Sequence, residues 1–172
     1  LLPLIASAAS LAEFEASLNG HDSATAALRQ WCEIRRMASP AIIHASRVEP
    51  SQVTPPRDLR QRLQVQRSEE IAFRHVRLSC EGTVLSEAYN WYVPGRLTTE
   101  MNCRLEATDT PFGTVAAPLK FHRERLRASR KARGPCPGPT ILTHRARLIL
   151  PDGKPLAMLV ECYLPENLTA GS

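Results

Sequence analysis

Residues 70–93, EIAFRHVRLSCEGTVLSEAYNWYV, decide the fold class. Through Ser79 the run alternates. Ile71, Phe73, His75 and Arg77 share one parity and Ala72, Arg74, Val76 and Leu78 the other, the period-2 signature of a strand. Glu81-Gly82-Thr83 reads as a hairpin turn into a second run, 84–93, which Pro94-Gly95 ends. Strands joined by so short a turn pair antiparallel.

The same reading extends outward. Residues 140–150 and 155–164 form two further strands around the turn Pro151-Asp152-Gly153-Lys154, and 41–48 and 119–126 supply two more. Helices are expected over 11–18, stopped by Asn19-Gly20, and from an Asp22 or Ser23 cap through Trp31 and Ile34. Pro55 or Pro56 opens a helical turn through Leu63, and Leu97, Met101 and Leu105 recur at helical spacing. Thr110-Pro111-Phe112-Gly113 is a turn opening a short helix. The proline-rich segments 49–56 and 128–139 are loops. The sum is an α+β domain over 1–172: an antiparallel sheet of about six strands with helices on one side.

Composition sets the outer bounds. At 172 residues, 43% hydrophobic and 5% aromatic, the chain suits one core built from Leu, Ile, Val and Ala, and is neither disordered, collagenous nor coiled coil. The apolar start, Leu1-Leu2-Pro3-Leu4-Ile5-Ala6, weakens through Leu11 and stops at Glu13 and Glu15, short of the ~20 residues that span a bilayer. Leu4, Leu11, Phe14 and Leu18 suit the stripe of an amphipathic helix instead. A cytoplasmic location is expected, with export left open by that stretch. Five cysteines (Cys32, Cys80, Cys103, Cys136, Cys162) lack paired ligand spacing, so no metal is expected, and they read as small reduced thiols.

The formal net charge of +5 concentrates in Lys120, Arg123, Arg125, Arg127, Arg130, Lys131 and Arg133, against Glu124 alone. Without interleaved aromatics or a recognition helix, this stretch reads as an exposed loop rather than a nucleic-acid site. His44, His75 and His122 show no nucleophile or metal-ligand spacing, His144 reads as structural, and no Gly-x-Ser-x-Gly elbow exists, so hydrolase chemistry is not indicated.

Two charges sit inside otherwise apolar strands: Arg74 among Ala72, Val76 and Leu78, and Glu161 within Leu159-Val160-Glu161-Cys162-Tyr163. Each alone fits a solvated face. If both point inward they must pair or meet a ligand, because an unpaired buried ion costs several kcal/mol. The guanidinium would then fork onto a carboxylate while Glu161 takes a distal hydroxyl. Gly113 offers main-chain N–H groups at a helix start.

In order and spacing these pieces resemble the chorismate pyruvate-lyase family: Phe73-Arg74-His75-Val76-Arg77-Leu78, Asn90-Trp91-Tyr92-Val93-Pro94, Thr110-Pro111-Phe112-Gly113, Gly153-Lys154-Pro155-Leu156 and Val160-Glu161-Cys162-Tyr163-Leu164-Pro165. With Ser23-Ala24-Thr25, the match covers about residues 20–168. The resemblance implies a six-stranded antiparallel sheet enclosing its ligand. It also implies release of pyruvate from chorismate to give 4-hydroxybenzoate, toward ubiquinone, without a cofactor. Arg74 takes the position of the arginine that holds the ring carboxylate. Phe112 and Gly113 stand at the turn supporting that carboxylate, and Glu161 stands at the hydroxyl end. Arg74 and Glu161 are thus the candidate catalytic residues. Ala24 and Phe112 replace the family's usual Met and Leu and reshape the cavity. The alternative reading is a non-catalytic binding domain for a small aromatic carboxylate on the same fold. Oligomeric state is left open.

Overall fold

The computed structural model describes residues 8–171; the Leu1–Ala6 stretch, Leu4 of the expected stripe included, lies outside them. Helix α1 (Leu11–Asn19) begins at a capping box in which Ser10 and Glu13 satisfy each other's main-chain N–H groups. Ser23 caps α2 (Ala24–Ile34) by accepting from the Ala26 N–H. The strands are β1 (Ile43–Arg47), β2 (Ala72–Cys80), β3 (Thr83–Tyr92), β4 (His122–Ser129), β5 (Leu142–Ile149) and β6 (Pro155–Tyr163). Short helices α3 (Leu59–Leu63), α4 (Thr99–Ala107), α5 (Phe112–Ala116) and α6 (Glu166–Thr169) fill the connections.

All strand pairs are antiparallel, in the order β1-β2-β3-β6-β5-β4. The six-stranded α+β fold expected from the hairpin spacing is what forms. The centre of the sheet is buried on both faces: every residue of β6 is buried, including Glu161. On the inner face Leu78, Ala88, Leu142 and Tyr163 pack against Phe14, Leu28 and Trp31 of α1 and α2. On the outer face Tyr89, Trp91, Met158 and Val160 pack beneath Leu59 and Leu63 of α3. Double coverage explains why β6 reads as a continuous apolar run rather than an alternating one.

A main-chain carbonyl and a side chain each occupy part of one sheet edge. The Ala45 N–H donates to the Asp109 carbonyl along β1, and the Arg123 N–H donates to Asp22 Oδ1 along β4.

Three expectations need correction. The helices do not keep to one side of the sheet: α3 covers the outer face while α1 and α2 cover the inner one, because the outer face of β3 and β6 is apolar too. The cysteines are not all thiols: Cys32 bonds Cys80, joining α2 to β2, and Cys136 bonds Cys162, joining the 130–139 loop to β6. Their sequence separations of 48 and 26 give no local pattern, so only the fold brings them together. The basic stretch is likewise not one exposed loop. Its first half is β4, extending to Ser129, and its second half is fastened to the outer face by Cys136–Cys162, by Thr143 Oγ1 donating to the Lys131 carbonyl (2.7 Å), and by the Tyr89 hydroxyl donating to the Pro135 carbonyl (3.0 Å).

Of the five cysteines only Cys103 is free, and it is exposed. Thiol titration of the denatured, unreduced protein is expected to find one reactive group, rising to five after reduction. Opening Cys136–Cys162 by Cys136→Ser is expected to cost about 3 kcal/mol, read by denaturant titration.

Candidate functional site

Between the inner face of the sheet and the starts of α2 and α5 lies a cavity of about 50 Å³, several times the ~10–15 Å³ that one water requires. Val76, Leu78, Leu148, Leu159 and Phe121 make its apolar walls. α5 approaches α2 closely enough that a Cβ on Gly113 would collide with Ser23 Oγ and sit 3.0 Å from Thr25 Oγ1. A side chain there would displace the Ser23 hydroxyl that caps α2, and Phe112 beside it turns into the cavity, its ring 5.2 Å from that of Tyr92.

Arg74 of β2 stands opposite Asn90 of β3, both on the inner face. Arg74 is 5% exposed; its Nη2 donates to the Thr110 carbonyl at 3.2 Å. Among the described residues its Nε and Nη1 have no acceptor, and neither the amide nitrogen nor the oxygen of Asn90 has a partner. Burial, reinforced by Arg47 nearby, lowers the Arg74 pKa. The result is a fork of buried donors on a group that strongly prefers an anion.

The opposite wall is already neutralised. Arg123 of β4 reaches past β5 to grip Glu161 of β6 through both carboxylate oxygens, Nη1 to Oε2 at 3.2 Å and Nη2 to Oε1. Tyr163 donates its hydroxyl to Glu161 Oε2 at 3.2 Å. Burial alone would lower the Arg123 pKa, but the Glu161 carboxylate overrides it and holds the guanidinium charged. Burial and the same carboxylate push Tyr163 well above its usual value, keeping its proton available to donate.

His144, directly across from Glu161 on β5, lies under the edge of the Tyr163 ring, and neither of its nitrogens has a partner among the described residues. Burial, opposed by Glu161, lowers its pKa to about 4.

All four residues singled out in the sequence, Arg74, Phe112, Gly113 and Glu161, line this one cavity. Arg123 and Asn90 line it too and were missed. Arg123 was hidden within a basic run, although it falls on a predicted strand at a parity that must face either solvent or core. Asn90 carries no charge to mark its burial.

A cavity over a six-stranded antiparallel sheet with helices packed on it makes this an α+β ligand-cavity fold, and solved structures share it. The effector domain of PhnF from Mycobacterium smegmatis matches with a TM-score of 0.57 at 11% identity, over 84% of this chain and 90% of that one. A ligand-binding domain attributed to a GntR-family transcriptional regulator of Bordetella bronchiseptica matches with a TM-score of 0.51 at 15% identity, over 72% and 83%. No established family profile matches the chain. It is 39% identical over 172 residues to the uncharacterized protein y4mC of Sinorhizobium fredii (strain NBRC 101917 / NGR234), covering 89% of this chain and 73% of that protein, and it belongs to the same family.

His144 gives the fold an acid sensitivity. Its folded pKa of about 4 lies below the unfolded 6.5, so the unfolded chain binds more protons between those values. Its neutral burial is fully tolerated above about pH 6.5, and stability falls as pH drops toward 4. Melting temperatures are expected to decline less steeply over this window in His144→Leu than in the unaltered protein; parallel curves would refute the assignment.

Proposed function

We propose that the inner cavity binds a small cyclic carboxylate and that this cavity works by binding rather than by turnover. One observation carries this reading: Arg74 is buried with two donors unsatisfied, beside an unsatisfied Asn90. Leaving a buried charged donor unpaired costs about 1–3 kcal/mol or more, which a ligand carboxylate would recover. Arg74 and Asn90 would hold the carboxylate, and the flat apolar walls would hold a ring. Two strand spacings, about 10 Å, separate β2 from β6. That distance suits a ring with a carboxylate at one end and a hydroxyl near Glu161 at the other. 4-Hydroxybenzoate has this form.

Binding is favoured over lyase chemistry because both Glu161 oxygens are occupied by Arg123, and Oε2 also by Tyr163. A proton shuttle needs a freer carboxylate. The cavity of about 50 Å³ is also tight for chorismate with its enolpyruvyl arm. Kinship of fold with effector domains supports the same reading. The chorismate-lyase reading stands second, favoured by Arg74 and Glu161 lining a single cavity.

Calorimetry with 4-hydroxybenzoate is expected to show binding, weakened about 10- to 150-fold in Arg74→Ala, the equivalent of about 1.4–3 kcal/mol. Chorismate is expected to yield no pyruvate. Unchanged affinity in a folded Arg74→Ala protein would remove the carboxylate assignment. Pyruvate release that vanishes in Glu161→Gln would replace binding with the lyase.

A further inference from the structure

On the opposite face of the sheet, three side chains form a relay that neither the inner cavity nor its ligand uses. Ser51, half-buried in the loop after β1, places its Oγ 2.7 Å from His75 Nδ1. His75 Nε2 lies 2.6 Å from Glu87 Oε1 across the β2–β3 pair. Glu87 is buried, and its carboxylate also lies 3.2 Å from the Tyr89 hydroxyl and 3.4 Å from Arg77 Nε. The His75 ring stacks on Tyr89 at 4.2 Å, which fixes its plane. We propose that Ser51, His75 and Glu87 are a nucleophile, base and orienting carboxylate that hydrolyse small, uncharged carboxylic esters.

Glu87 accepts the Nε2 proton, which leaves the Nδ1 lone pair facing the Ser51 hydroxyl. The imidazole is used in the reverse sense from a serine protease, where Nε2 serves the serine, but the roles are the same. Ser51 and His75 open onto a cleft of about 340 Å³ that runs past the end of β1. Phe73, Val48 and Ala72 give it apolar walls, Arg47 pairs with Glu49 at 3.5 Å, and Arg74 and Tyr92 border it from the inner side, so its two arginines and two glutamates leave no formal net charge. The Val48 N–H donates to the His75 carbonyl, so alternate residues of β2 turn main-chain groups toward β1. The next such residue is Phe73, beyond the end of β1. Strand alternation assigns its N–H to the cleft side, as the candidate donor to the oxyanion.

In the reaction, Ser51 Oγ bonds to the ester carbonyl carbon as its proton passes to His75 Nδ1. The bond from that carbon to the alcohol oxygen breaks, and His75 returns the proton to the leaving alkoxide. Water then attacks the acyl–Ser51 ester with His75 again taking the proton, releasing the acid and restoring the hydroxyl. Ser51 and His75 touch the reacting atoms; Glu87 is a positioning residue.

The test uses the full chain with p-nitrophenyl acetate and a fluorophosphonate probe. Hydrolysis above the buffer rate is expected, with a single fluorophosphonate adduct mapped to Ser51 and both signals lost in Ser51→Ala. That substitution lies in a loop and removes one oxygen, so the fold is expected to persist. Glu87→Gln is expected to lower kcat at least a hundredfold with KM unchanged, a split that loss of a merely structural bond would not produce. Hydrolysis that survives Ser51→Ala, an adduct at another residue, or no hydrolysis by the unaltered protein would each overturn the proposal. Because 4-hydroxybenzoate binding is read separately by calorimetry, failure of either site leaves the other standing.

Discussion

The buried contact between Arg123 and Glu161 is the constraint around which the inner half of the molecule is arranged. Glu161 lies on a strand covered on both faces, where an isolated carboxylate would cost several kcal/mol, a large share of the net stability of a domain. Its charge is tolerated because Arg123 comes from the edge strand two positions away and binds both oxygens. Removing one partner of such a pair typically costs about 3–5 kcal/mol, since the other is left as an uncompensated buried ion. The arrangement propagates outward. Tyr163 stays protonated and donates to the pair, and His144 opposite stays neutral because a third charge in the same apolar layer has no partner.

That neutralised wall also decides what the cavity offers. At one end the ionic requirements are met internally. At the other, Asn90 has no partner among the described residues and Arg74 has only the Thr110 carbonyl. In the proposed binding mode this asymmetry gives the cavity a direction, with the carboxylate at the β2–β3 end and a neutral polar group at the β6 end. Close packing at Gly113 sets the start of α5 against the start of α2 beside the cavity.

The sheet separates this pocket from the outer-face relay by a single layer of residues. Arg74 and His75 are neighbours on β2 with opposite orientations, one serving the inner cavity and the other stacked on Tyr89 outside. The strand period of two therefore lets four consecutive residues, Phe73 to Val76, take part in two environments of different polarity. The loop carrying Ser51 and the loop carrying Cys136 both close onto the outer face, the first through His75 and the second through Tyr89 and Cys162.

Much of this was readable from the chain alone. Alternation in 70–93, the turns at Gly82 and Gly153, and the apolar run of β6 depend on interactions between near neighbours, so they leave a periodic trace. The anomaly of a charge at Arg74 and at Glu161 was equally visible, because burial of an ion conflicts with its surroundings whatever the fold. What the sequence could not contain was the identity of each partner. Arg123 is 38 residues from Glu161, Cys32 is 48 from Cys80, and Ser51 is 24 from His75. Those pairings follow from strand order and loop closure, which are settled by the packing of the whole sheet. The sequence by itself determined the elements, their antiparallel pairing and the positions that needed compensation. Only the tertiary structure decided what compensates them, because electrostatic and covalent partners are chosen by distance in space and leave no period along the chain.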